Sequence, residues 1–133
     1  MGSFYGALPG HDGLWKSAKS TNNDILERLA IVHMVLEGRG LDITPFSMEK
    51  LKNAKDDKSL ELLKIIYRDE ITHVGSGMRW FKYVCNEQKI QDPMQKSQDI
   101  VMEKFEGNLK GPFNDKAREQ AGFTKDWYQS LAE

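Results

Sequence analysis

The longest helical pattern in the sequence runs from about Asp57 to Glu87 and constrains the fold most strongly. Apolar residues, together with a glutamate, a histidine and a glycine, recur there at three- and four-residue steps, as one face of a helix requires: Leu60, Leu63, Ile66, Tyr67, Glu70, His73, Val74, Gly77, Phe81 and Val84. Gly75 and Gly77 interrupt it, and each costs about 1 kcal/mol relative to alanine. We therefore expect either a close approach by a neighbouring backbone or a kink at these glycines.

A second helix is predicted from about Asn22 to Gly38, capped by Thr21 or Asn22. Its apolar stripe is wide, which indicates burial on more than one side. Gly38 and Gly40 are expected to end it. Thr44 followed by Pro45 then predicts a separate short helix to about Ala54.

The remaining segments are shorter. Residues 1–21 are rich in glycine and predict an irregular lead-in, from which Leu14 and Trp15 fold back onto the helices. A helix from Pro93 to about Phe105, a short helix capped by Asn114, and a last turn after Thr124 follow. No alternating strand pattern occurs, so the expected fold is all-α, with residues 22–133 forming a single helical domain.

Composition excludes several classes of protein. The 133 residues carry a formal net charge of -1, which predicts no strong general attraction to nucleic acid or anionic membrane. The single cysteine, Cys85, cannot form an internal disulfide. No apolar run approaches the roughly 20 residues of a membrane span, and no signal-peptide pattern begins the chain. A cytoplasmic location is expected.

Glu70 and His73 are the residues that point to chemistry. Residues three apart lie on one helix face, and Glu37 on the neighbouring helix offers a second carboxylate. A glutamate plus a Glu-x-x-His motif is half of the ligand set of a di-iron carboxylate bundle, and such ligands suit Fe(II), Mn(II) or Zn(II). The alternative is a surface ion pair, because Glu-x-x-His also occurs by chance on charged helices.

Two neighbouring residues have open roles. His33 lies one turn before Glu37. Its role is that of an additional ligand, of a hydrogen-bond partner of a ligand, or of a core histidine bonded to a carboxylate. Asp69 either orients a ligand histidine or pairs with Arg68 or Arg79. No phosphate-binding loop or nucleophile elbow occurs, so hydrolase and nucleotide-binding functions have no support.

Four segments together resemble an uncharacterised ferritin-like family: residues 5–15, 28–42, 68–81 and 111–123. This family is similar to the tRNA-hydroxylating di-iron monooxygenases, which also pair a helix ending in Glu-Ala-Arg with one carrying Glu-x-x-His. The resemblance implies Glu37, Glu70 and His73 as iron ligands. It leaves the substrate, a small molecule or tRNA, unassigned.

Members of that family are about twice this long, and the resemblance covers only their C-terminal half. It therefore implies a ferritin-like half-bundle with two long antiparallel helices, completed by a homodimer that brings two ligand sets together. The expected function is a metal-binding protein, with a di-iron O2-dependent oxidoreductase as the expected class if it is an enzyme. The alternatives are a non-catalytic helical interaction or assembly module that lacks the other half-site, and an iron-storage protein.

Overall fold

The protein is all-helical over residues 2–132, which a computed structural model describes. No strand forms in this range, and the only bridge of that kind joins Leu109 to Ala132. The all-α prediction is confirmed. The helices are α1 (Gly13–Ser20), α2 (Ile25–Arg28), a π-helical segment (Leu29–Leu36), α3 (Glu37–Asn53), α4 (Asp57–Glu87), α5 (Pro93–Lys104) and α6 (Asp115–Gln120), followed by two 3-10 turns (Lys125–Trp127 and Gln129–Leu131).

The helix after α1 is much longer than the sequence predicts. The α2 helix, the π-helical segment and α3 join without a break, so residues 25–53 form one rod, called here the first long helix. The prediction that Gly38 and Gly40 end a helix is wrong. A methyl group on Gly38 would lie 3.4 Å from the Arg118 guanidinium, and one on Gly40 would lie 3.6 Å from the Glu70 side chain. Gly38 is packed closely against Arg118, Gly40 has room for a methyl group, and neither glycine stops the helix.

Pro45 lies inside this helix, so the predicted break before it is also wrong. A proline has no N–H and leaves the carbonyl four residues earlier without its helical donor. That carbonyl belongs to Leu41, and the side-chain amide of Asn114 donates to it at 3.1 Å. A distant residue thus replaces the missing helical bond, which no local pattern around Pro45 reveals.

The first long helix is capped by Asp24, not by Thr21 or Asn22 as predicted. The Asp24 carboxylate accepts from the backbone N–H of Leu26 at 2.7 Å and of Glu27 at 3.4 Å. Four residues later the helix widens into the π-helical segment. Such segments are rare and are frequent at functional sites, and this one carries His33.

The second long helix, α4, has the predicted bounds, Asp57–Glu87. The Asp56 carboxylate caps it by accepting from the Ser59 N–H at 3.1 Å. Of the two expectations for its glycines, close approach is the one observed at Gly77, where an added methyl group would lie 2.6 Å from the His33 Cβ. The helices are therefore nearly in backbone contact there.

The chain after α5 closes the core around a buried ion pair. The Arg118 guanidinium donates to both oxygens of Asp42, at 2.9 and 2.7 Å, and both side chains are 1% exposed. Rings of Tyr128, Phe113 and Phe123 lie 4.4 to 5.2 Å from the guanidinium carbon. This pair anchors the C-terminal part of the chain to the first long helix.

The lead-in differs from the prediction in two ways. Residues 13–20 form helix α1, next to a Lys16–Asp12 ion pair of 3.0 Å, although the segment is predicted to be irregular. Leu14 and Trp15 are exposed and do not fold back onto the bundle. Helix α1 buries none of its residues, so it adds little to the core.

None of the helices between residues 2 and 132 combines the length and the apolar character that crossing a membrane requires.

Candidate metal centre

The candidate site lies between the first long helix and α4, which run antiparallel. Gly77 faces His33, and Gly40 faces the Glu70 side chain, because a methyl group added to either would lie 2.6 Å from the His33 Cβ or 3.6 Å from Glu70. These two contacts are seven residues apart on each helix, so they fix one register. In that register Glu37, four residues after His33, lies approximately level with His73, four residues before Gly77.

His33 and Glu37 form the first pair of the site. The His33 Nδ1 lies 3.0 Å from the Glu37 Oε1, and the Glu37 side chain is 23% exposed. The other carboxylate oxygen, Oε2, is buried and makes no hydrogen bond within residues 2–132. A buried carboxylate oxygen without a donor is costly, so this atom is a candidate to meet a cation.

Glu70 and His73 form the second pair. The His73 Nδ1 lies 3.2 Å from the Glu70 Oε2, one helical turn away. Glu70 is mostly covered, whereas the His73 side chain is 57% exposed. The Glu-x-x-His spacing therefore does bring both side chains to one face, as predicted, and that face is open to solvent.

The electrostatics of His33 connect the two pairs. The pKa of His33 is raised above 6.5, first because its ring hydrogen-bonds to the Glu37 carboxylate. Partial burial opposes this, while the negative charges of Glu37 and Glu70 add to it and the Arg28 charge subtracts. The Glu70 charge on α4 thus contributes, as the smallest of these causes, to the raised pKa of a histidine on the first long helix.

Over residues 2–132 no three His, Cys, Asp or Glu side chains converge closely enough to hold one metal ion. Glu37, Glu70 and His73 thus lie on facing helices as two local pairs, not as one assembled ligand set. His33 is half-exposed and bonded to a carboxylate, so it is not a core histidine. Asp69 is exposed and lies 4.0 Å from Arg68, its neighbour in sequence.

A second apolar stripe on α4 is a feature that the sequence analysis missed. Leu62, Ile66, Trp80 and Tyr83 are 54–63% exposed, on the same side of α4 as His73. Ile66, assigned above to the buried face with Glu70, belongs to this stripe. The signal is in the sequence, since these positions and His73 follow a spacing of three and four residues. The sequence analysis missed it because the buried stripe of Val74, Met78 and Phe81 lies on the same helix with the same spacing.

Comparisons with known proteins give a family and no chemistry. An uncharacterized protein of Haemophilus influenzae (strain ATCC 51907 / DSM 11121 / KW20 / Rd) is 41% identical over 130 residues, which cover 96% of this chain and 45% of that protein. The chain thus spans about half the length of this relative. No solved structure matches this chain. The model of the family described as "Protein of unknown function (DUF455)" matches residues 1–129, and the chain belongs to that family.

Proposed function

We propose that the protein is a ferritin-like half-bundle that binds a metal, with iron as the first candidate and Mn(II) or Zn(II) as alternatives, at a site completed by a second chain. The observation that carries this is the buried, unpartnered Oε2 of Glu37 beside two Glu–His pairs on facing helices. Carboxylates and imidazoles on two facing helices fit a divalent transition metal.

The residues would divide the work as follows. Glu37 and Glu70 hold the metal through carboxylate oxygens, and His73 adds one imidazole nitrogen. His33, whose ring is bonded to Glu37 at 3.0 Å, orients that carboxylate. Bound iron of this kind supplies O2 activation, so the reaction class is O2-dependent oxidation or hydroxylation. Iron storage uses the same ligands. The two functions differ in that oxidation or hydroxylation requires an organic substrate and an electron donor, whereas iron storage requires neither.

The candidate ligands of one chain do not form a complete site, because no three of them converge within residues 2–132. That same observation favours a second candidate function, a non-catalytic helical module that associates with a partner and holds no metal. The two candidates differ in one measurable property, the uptake of metal by the associated protein.

An anaerobic Fe(II) titration, with the mass of the species measured on the same sample, tests the proposal. We expect about one iron per chain in a dimer, since two half-sites make one di-iron set. Glu70→Ala should abolish uptake and leave the helical circular dichroism unchanged, because within residues 2–132 the Glu70 side chain hydrogen-bonds to His73 alone.

The matched control is Glu61→Ala, an exposed glutamate of α4 that pairs with Lys64 at 2.8 Å. It should bind iron like the unaltered chain. Iron retained by Glu70→Ala would refute the ligand assignment. No iron in a folded, unaltered chain would leave the interaction module as the function.

A further inference from the structure

A seam of seven residues runs along the open side of α4. Its positions alternate in steps of four and three residues, which is the spacing of a coiled-coil stripe: Leu62, Ile66, Asp69, His73, Ser76, Trp80 and Tyr83. The seam spans three heptads and contains four apolar residues and three polar ones. Its apolar members are more than half exposed.

The seam is close to symmetric about His73. Ile66 and Trp80 lie seven residues before and after it, and Leu62 and Tyr83 lie eleven before and ten after. Asp69 and Ser76, both polar, lie four before and three after. Apolar residues thus occupy both ends and polar residues occupy the centre.

We propose that this seam pairs with the same seam of a second copy of the chain, antiparallel, with a two-fold axis at His73. A two-fold interface must be self-complementary, and this register meets that condition. It places Ile66 against Trp80 of the second copy and Leu62 against Tyr83. Asp69 then meets Ser76, whose hydroxyl donates to the Thr72 carbonyl at 2.9 Å within one chain and would turn to the carboxylate in the dimer.

Charge complementarity at the ends favours the same register. Lys58 and Glu87 flank the seam, both are exposed, and neither makes an ion pair within residues 2–132. The antiparallel register brings Lys58 to within about one residue of Glu87 of the second copy, roughly 1.5 Å along the axis. The dimer contains this contact twice. A parallel pairing would instead set Lys58 against Lys58.

The central polar residues fit this occupant. The two copies of His73 meet at the axis, and each is bonded to its own Glu70 at 3.2 Å. The second copy therefore contributes a Glu70–His73 pair to the site. This pairing deepens the proposed function by naming its interface, while the association itself requires no metal.

Sedimentation of variants tests the surface. Ile66→Lys should weaken dimerisation at least about a hundredfold, because each dimer carries the buried charge twice. The matched control is Met102→Lys, which alters an exposed apolar residue on α5 and should leave the dimer intact. A monomeric unaltered chain, or equal effects of the two substitutions, would overturn the proposal.

Cysteine crosslinking tests the direction. A mixture of Ile66→Cys and Trp80→Cys chains should form a disulfide-linked dimer, whereas neither variant alone should do so; the natural thiol, Cys85, is buried. A dimer of Ile66→Cys alone would indicate a parallel pairing and refute this register.

The end charges give the finest test. Lys58→Glu and Glu87→Lys should each weaken the dimer severalfold, and the double variant should restore it. Failure of that rescue would contradict the register. The two proposals remain separable: a dimer that takes no iron refutes the metal site alone, and a dimer that takes iron but fails the crosslinking and charge-rescue tests refutes this pairing alone.

Discussion

Two polar clusters on the first long helix are built in opposite ways. Asp42 and Arg118 are 1% exposed, share two hydrogen bonds, and are enclosed by three aromatic rings. His33 and Glu37 share one contact and stay partly open, and each cluster leaves one buried polar atom without a partner within residues 2–132, Glu37 Oε2 and Arg118 Nη1. The closed cluster joins distant parts of the chain, as a structural pair does. The open cluster keeps its side chains partly accessible to solvent, which is the pattern expected where function sets the sequence.

Breaking the closed cluster should have the largest effect. Asp42→Ala removes both acceptors of the Arg118 side chain and leaves a buried, unpaired charge. We expect a loss of about 3–5 kcal/mol in the free energy of unfolding, measured by urea denaturation. Glu37→Gln in the open cluster should change it by less than about 1 kcal/mol. Similar losses for both would show that the two clusters do not differ in kind.

The packing beneath the open cluster should give an intermediate effect. Gly77→Ala puts a methyl group 2.6 Å from the His33 Cβ. Overpacking then outweighs the gain in helix propensity, for a net loss of about 1–2 kcal/mol. Gly40→Ala is the matched control, since its methyl group would lie 3.6 Å from Glu70. It should stabilise the protein by up to about 1 kcal/mol. The same sign for both substitutions would argue against the close helix contact.

The smallest effect should be a pH dependence. The pKa of His33 is raised in the folded protein, so its contribution to stability is complete below about pH 6.5, its unfolded value. That contribution is lost as the pH rises through the higher folded pKa. His33→Gln should flatten this decline, measured as the thermal midpoint across pH 6 to 8 in roughly half-unit steps. An unchanged slope would mean that the Glu37 contact does not persist in solution.

The extent of α4 could be predicted from sequence because its signals are local. An aspartate cap, a regular apolar period and a polar stretch after Cys85 lie within the helix or beside it. The first long helix could not, because Gly38, Gly40 and Pro45 each carry a local penalty. What offsets those penalties comes from residues far along the chain, Asn114 and Arg118 among them.

The candidate site divides along the same line. The Glu70–His73 pairing follows from helix spacing, and so does the His33–Glu37 contact. The position of Glu37 level with His73 depends on the register of the two helices, which the close approaches at Gly40 and Gly77 fix. The Asp42–Arg118 pair joins residues 76 positions apart, and no periodic pattern predicts such a partner. The metal itself remains a prediction.

The π-helical segment has a consequence for how this chain can vary in length. Its backbone bonds reach five residues back, as Glu37 N–H does to Val32. A π-helical turn therefore stores an extra residue within a helix. Deleting one residue between Leu29 and Val32 lets the helix tighten while its two ends keep their faces. A deletion in α4, which has no such reserve, turns every later side chain by about 100°. Natural length changes in the helical pair should therefore concentrate within Leu29–Leu36.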